Sequence, residues 1–270
     1  MVQGLRDAKA QSLTLGGLLA HKPDLSGRLV GRGWLGLERH MIFTGATGIG
    51  KSTLAMQLAL MWAAGSTAWG MRPVRPLRTF YLQGEGGLDD MQFMIAEILR
   101  GMRDTLNPAK LEDNFRVAYT TDVRGPALIP WLRDALGDYK PDLIWMDPLF
   151  QFFGGDVKDQ AAVTHFCREV LHPFGVERGA AWCIIHHENK PSGIAPARWN
   201  RVYSGSGSAD SANWCKASLS LERTSDTQAT LWAGKNGESS GLGEGCVAPH
   251  HPHSIPLRRA DHARVWVEDV

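Results

Sequence analysis

The segment GATGIGKS, Gly45 to Ser52, matches the pattern G-x-x-x-x-G-K-[ST] in full. Glycines at Gly45, Gly48 and Gly50 let a backbone wrap around a phosphate and present its N–H groups. Lys51 can reach the β- and γ-phosphates of a nucleotide, and Ser52 can ligate Mg²⁺. The apolar run HMIFT precedes the segment, and KSTLAMQLALMWAA follows with helical spacing. A helix opening there adds positive potential at the phosphate. A chance glycine-rich turn would not carry that strand and helix context. The candidate nucleotide-binding residues are therefore Gly45, Ala46, Thr47, Gly48, Ile49, Gly50, Lys51, Ser52 and Thr53, with ATP and Mg²⁺ as the expected ligands.

Two carboxylates extend this chemistry. The apolar run in PDLIWMDP ends in Asp147, which downstream of such a loop can hold Mg²⁺ through water beside Ser52. The other reading of Asp147 is a turn residue before Pro148. In FYLQGEGG, Phe80 to Gly87, a single Glu85 stands among glycines. Hydrolysis requires a group that orients or deprotonates water. Strand ends in a parallel sheet line the ligand crevice, so Glu85 can be that group. On the residues alone, it can equally decorate a glycine turn.

These groups need a scaffold, and the pattern of the chain supplies one. HMIFT, TFYLQ, PDLIWMD and AAWCIIHH are short apolar runs, as expected of strands covered on both faces. Helical segments alternate with them. In the first, Leu54, Leu58 and Met61 or Trp62 share a face; in DDMQFMIAEILRGM, Asp89 or Asp90 is placed to cap the N-terminus. Alternation of this kind predicts an α/β fold with a mostly parallel sheet, helices on both faces and right-handed crossovers. After residue 190 a loop rich in Gly, Pro, Ser and Arg leads to ASLSLER, TQATLWAG and ARVWVED, read as an antiparallel C-terminal extension. Residues 1–30 read as an N-terminal arm and 31–270 as one domain.

Composition sets the bounds. The chain has 270 residues, 43% hydrophobic and 21% charged, with formal net charge +1, so no strong basic field is available for nucleic acid. Cys167, Cys183, Cys215 and Cys246 are scattered, as expected of thiols in a reducing compartment. No run approaches the roughly 20 apolar residues that span a bilayer, and the N-terminus has no apolar signal region. The expected location is the cytoplasm, with no membrane partner. CVAPHHPHS brings together Cys246, His250, His251 and His253. Those types suit zinc, but no second well-spaced pair lies nearby and the prolines favour an exposed loop.

The order of YLQGE, IWMDPLFQFF, CIIHHENK, SGSGSADSANW and AGKNG after the phosphate loop resembles the RecA-like hexameric replicative helicases of the P-loop ATPase superfamily. The small plasmid-encoded type, a single RecA-like domain, is most similar, over roughly residues 30–270. The resemblance implies that Glu85 is the catalytic base and that Asp147 is the metal aspartate. It places His186 and His187 as the family's histidine pair, with His187 sensing the γ-phosphate, and Lys235 as the lysine that reaches the ATP of a neighbouring subunit. It implies a homo-oligomer, a hexameric ring, acting in replication with a primase or initiator partner. The loop 188–210 falls where such helicases grip single-stranded DNA, and Lys190, Arg198 and Arg201 are the candidate contacts, with Trp199 and Tyr203 interleaved. LFQFFGGD falls where a second channel loop would lie, although Phe150, Phe152 and Phe153 are more often core or interface residues. One departure stands out: the family's arginine finger precedes the tryptophan that is Trp214 here, and that position is Asn213. Arg201 and Arg223 are the nearest substitutes. An ATP-binding assembly or regulatory oligomer, or a recombinase-like filament, remains the alternative to a helicase.

Overall fold

The computed structural model describes residues 12–22, 24–37, 39–106, 108–156, 159–187, 214–247, 252–261 and 263–270. Helix α1 (Leu15–Ala20) precedes a two-stranded ribbon, β1 (Arg28–Val30) and β2 (Leu35–Gly36). A nine-stranded sheet follows, built from β3 (Met41–Gly45), β4 (Thr79–Gln83), β5 (Phe115–Tyr119), β6 (Leu143–Asp147), β7 (Ala181–His187), β8 (Ala217–Arg223), β9 (Gln228–Ala233), β10 (Ser254–Arg259) and β11 (Trp266–Glu268). Its order is β11-β10-β9-β8-β3-β7-β6-β4-β5. From β8 to β5 every pairing is parallel, and from β8 to β11 every pairing is antiparallel.

Alternation along each parallel strand feeds two cores, because successive side chains leave opposite faces. Met41, Phe43, Tyr81, Trp145 and Cys183 point to one core with α2 (Lys51–Ala64) and α3 (Leu88–Gly101). Ile42, Phe80, Leu82, Ile144 and Trp182 point to the other. There they meet α5 (Leu128–Leu136), α6 (Leu149–Phe153), α7 (Gln160–His165) and α8 (His172–Arg178). A π-helical stretch, Phe166–Leu171, joins the last two helices. Helix α4 (Pro108–Asn114) leads into β5. This is the expected α/β architecture, with the phosphate loop between the centre of the sheet and α2. Among the described residues no helix is long and apolar enough to cross a membrane.

The structure corrects several local expectations. Helix α2 buries no single stripe: every residue from Leu54 to Ala64 is buried, because it lies between the sheet, α4 and the C-terminal strands. Helix α3 starts at Leu88 with Gly87 as its cap, so Asp89 and Asp90 fall inside the first turn. There they favour the helix dipole and do not cap it. β8 is a parallel core strand, since it begins beside the start of β3 with Met41 opposite Ala217. β5 is half-exposed at the sheet edge, and its Phe-Arg-Val-Ala-Tyr run gives no clear strand pattern. β10 was hidden by Pro256 and by the arginines at its end.

Candidate nucleotide site

The phosphate loop bends as its glycines require. Gly50 has φ of 101°, a conformation that suits only glycine. A Cβ there would lie 2.8 Å from Arg259 Nη2 and 3.0 Å from Trp266 Cζ2. Lys51 is buried, and its ammonium donates to the Ala46 carbonyl at 2.8 Å, which folds the side chain back over the loop. Three C-terminal groups brace the same backbone. Arg223 donates to the Gly48 carbonyl at 3.1 Å, Arg259 to that of Ile49 at 3.3 Å, and Trp266 Nε1 to that of Gly50 at 3.4 Å. Gln57 in α2 then locks β11 by exchanging two 2.8 Å hydrogen bonds with the Trp266 backbone.

Asp147 sits at the end of β6, 2% exposed. Tyr81 donates its O–H to Asp147 Oδ2 at 2.7 Å, and Ser52 hydrogen-bonds the same carboxyl group. Burial pushes the Asp147 pKa up to about 6, against the lowering effect of those bonds and of Lys51, while the Glu85 charge adds to the rise. Burial also holds the Tyr81 phenol well above its ordinary value, so it remains a donor. Gln83 lies directly across from Asp147 in the β4–β6 register. The Ser52 hydroxyl and the Asp147 carboxylate, hydrogen-bonded to each other, are the hard oxygen ligands that suit Mg²⁺.

Glu85 is exposed just beyond β4. It shares with Ser52, Thr53, Gln83, Asp90 and Arg264 the wall of a cleft of about 300 Å³. Its turn is tied down from several sides. Gly84 N–H donates to the Asp147 carbonyl at 2.8 Å, Gln83 Nε2 to the Glu85 carbonyl at 3.1 Å, and the Tyr119 hydroxyl to the Gly86 carbonyl. Gly84 permits this closeness, since a Cβ there would lie 2.5 Å from Gln151 Cγ. These bonds fix the backbone of the turn, from which the exposed Glu85 side chain extends.

The two histidines at the end of β7 separate as strand alternation demands. His186 is buried and His187 half-buried. His187 Nδ1 is 3.4 Å from the Thr47 hydroxyl, and its ring lies 5.2 Å from that of Phe150. Burial, then the Lys51 and His186 charges, lower its pKa to about 4. The ring is neutral near pH 7 and can both donate and accept. Phe152 and Phe153 are buried in the core and only Phe150 is exposed.

The residues from Gly45 to Thr53, with Glu85, Asp147 and His187, thus gather at the C-terminal ends of the parallel strands. Lys235 does not join them. It follows β9, which ends beside the start of β8, at the far end of the sheet. There its ammonium donates to the Cys215 carbonyl at 3.0 Å, and burial lowers its pKa. Lys190, Arg198, Arg201, Asn213, His250 and His251 lie outside the described residues. Cys246 shares a hydrogen bond with Glu268, and its thiol is pushed up to about 11, chiefly by burial. Among the described residues no cluster of three or more His, Cys, Asp or Glu could hold a metal ion. Tyr81, Gln83, Arg259, Arg264 and Trp266 were not legible as site residues. Arg259 and Trp266 reach the loop, and Arg264 the cleft, from the far C-terminal part of the sequence, and they carry no local motif.

A phosphate loop opening a helix, beside a buried strand-end aspartate in a parallel sheet, defines a P-loop ATPase of the α/β class. The chain belongs to the AAA domain family, whose model matches residues 6–193. That span contains the phosphate loop, Glu85, Asp147 and His187 and ends before β8. Comparison with curated proteins gives no match.

Proposed function

We propose that this P-loop ATPase is a nucleic-acid motor, a hexameric replicative DNA helicase that hydrolyses ATP at subunit interfaces and moves on single-stranded DNA. The observation that carries the proposal is the placement of Glu85 on a tied-down turn in one cleft with Ser52, next to Asp147. The loop from Gly45 to Thr53 receives the phosphates, and Lys51 neutralises β- and γ-phosphate charge. Ser52 and Asp147 would hold Mg²⁺, which would supply charge neutralisation on the phosphate oxygens when bound. Glu85 orients water in line with the γ-phosphorus and accepts its proton as the new O–P bond forms. The β–γ bridge breaks, leaving ADP and phosphate. His187, beside Thr47 of the loop, registers γ-phosphate loss and passes it to the segment that carries Lys190, Arg198 and Arg201.

Lys235, at the opposite end of the sheet, suits a role at a neighbour's nucleotide and not at its own. A ring of six would also concentrate the few cations of that segment into one channel, which reconciles DNA binding with a near-neutral chain. A second reading, an ATP-binding assembly or regulatory oligomer, is favoured by Arg223. Its guanidinium braces its own Gly48 carbonyl and is therefore engaged in cis. The deciding experiment is mass measurement with a non-hydrolysable ATP analogue, with and without single-stranded DNA, alongside ATPase and unwinding assays. A six-subunit particle with DNA-stimulated turnover and unwinding is expected. A monomer under all conditions, or turnover indifferent to DNA, overturns the motor.

A further inference from the structure

We infer that Gln83 is a positioning residue for the metal-bound nucleotide. Its Oε1 accepts a hydrogen bond from a water in the Mg²⁺ shell beside Asp147, while its Nε2 holds the turn that carries Glu85. The inference rests on the Mg²⁺–ATP reading above.

Gln83 is the last residue of β4, after the apolar run Thr-Phe-Tyr-Leu. It is 8% exposed. Its Nε2 is used, donating to the Glu85 carbonyl at 3.1 Å. Its Oε1 is buried and accepts no hydrogen bond from any described residue. Exchanging the amide oxygen and nitrogen would set two carbonyl oxygens face to face, so the orientation is determined by Glu85. A buried acceptor without a donor destabilises a fold, and native proteins keep few of them. An apolar side chain in that place would remove the cost, so the fold alone does not call for an amide.

The direction of the side chain indicates what the oxygen is for. Gln83 is the register partner of Asp147 in adjacent parallel strands, so the two side chains leave the sheet on the same face. Tyr81, two residues earlier, shares that face and reaches Asp147. Ser52 closes the group from the start of α2. Gln83 and Ser52 also line the same cleft. Mg²⁺ dehydrates reluctantly and retains several waters, which need acceptors around them. Uncharged Gln83, on the same face as Asp147 and in one cleft with Glu85, can take one such water without adding a further negative charge there. Outer partners of this kind tune metal affinity by roughly tenfold or more.

The test measures binding, not turnover. A fluorescent ATP analogue is titrated into wild type, Gln83→Met and Gln83→Glu, without metal and across a Mg²⁺ series. Gln83→Met is expected to raise the half-saturating Mg²⁺ concentration about tenfold, a larger change than any it makes to metal-free analogue affinity. Gln83→Glu, which keeps an acceptor but adds a charge and gives up the Nε2 donor, is expected to need less Mg²⁺ for half-saturation than Gln83→Met, because an acceptor is what the shell water needs. Equal Mg²⁺ dependence in wild type and Gln83→Met overturns the role of Gln83 while leaving the nucleotide reading intact. Wild type that binds the analogue without any Mg²⁺ dependence overturns both. If Gln83→Met does not fold, Gln83→Asn, which withdraws the same amide by one carbon, carries the same expectation and the same refuting result.

Discussion

At the end of the sheet where β3 begins, His40 is 1% exposed and fully engaged. Its Nδ1 accepts the Trp182 backbone N–H at 3.2 Å, which leaves Nε2 to donate to His172 Nδ1 at 3.1 Å. Its ring packs 4.2 Å from Trp214. Burial, then His172, lowers its pKa to about 3, so it is neutral at pH 7. At the other end of the same strands the buried polar groups are incompletely matched. The carboxyl of Asp147 is pushed up to about 6, and Gln83 Oε1 has no donor among the described residues. A buried histidine with both ring nitrogens matched, like His40, holds the fold together. A buried polar group left open to a further partner marks where a ligand belongs, and its cost to the empty protein is offset when that ligand binds.

Four experiments test this contrast. The largest effect is expected from Glu85→Gln: turnover falls roughly 10²- to 10⁴-fold, the usual size for a general base, while nucleotide affinity stays within a few-fold. Normal turnover would remove Glu85 from the chemistry. Asp147→Asn should separate stability from function. The native pKa of Asp147 is raised from 3.8 to about 6, so its stabilising contribution is complete below 3.8 and lost as pH rises through 6. At pH 7 its charge therefore destabilises the empty fold. The asparagine variant should gain on the order of 2–3 kcal/mol at pH 7, at about 1.4 kcal/mol per pKa unit, and nothing near pH 4. It should also lose Mg²⁺-dependent nucleotide binding. Chemical denaturation at the two pH values checks this, and a variant less stable at pH 7 would contradict the open-site account.

In the wild type, the same protonation should weaken Mg²⁺-dependent nucleotide binding about tenfold for each pH unit below 6, following the fraction of ionised Asp147. A flat affinity between pH 7 and 5 would argue against Asp147 as the metal carboxylate. The smallest effect belongs to the closed end. His40→Gln should cost about 1 kcal/mol of stability at pH 7 for one altered buried hydrogen bond, with turnover per folded molecule unchanged. Because the folded pKa of His40 is lowered from 6.5 to about 3, its contribution is present above 6.5 and lost as pH falls toward 3. The variant should therefore show a shallower loss of stability over that range. An unaltered acid slope would mean that His40 is not a group that the folded state holds neutral.

Where residues carry their chemistry in local order, the sequence was enough. GATGIGKS states its own turn, helix start and phosphate contacts, and the near-continuous apolar runs state a sheet covered on both faces. Asp147 became legible only because it ends such a run downstream of that loop. For Glu85, sequence alone left a glycine turn and a catalytic carboxylate equally open. Its position at the cleft is set by Tyr119 of β5, the backbone of Asp147 in β6 and Gln83 of its own strand, which tie down the turn. The bracing of the loop by Arg223, Arg259 and Trp266, the buried state of Asp147 and the far position of Lys235 likewise come from strand order. That order sets β8 beside β3 and the C-terminal strands against α2. Local pattern determines which face of an element is apolar. Pairing between distant strands determines which polar atoms meet, because a hydrogen bond is satisfied only by an atom about 3 Å away, however far along the chain it lies.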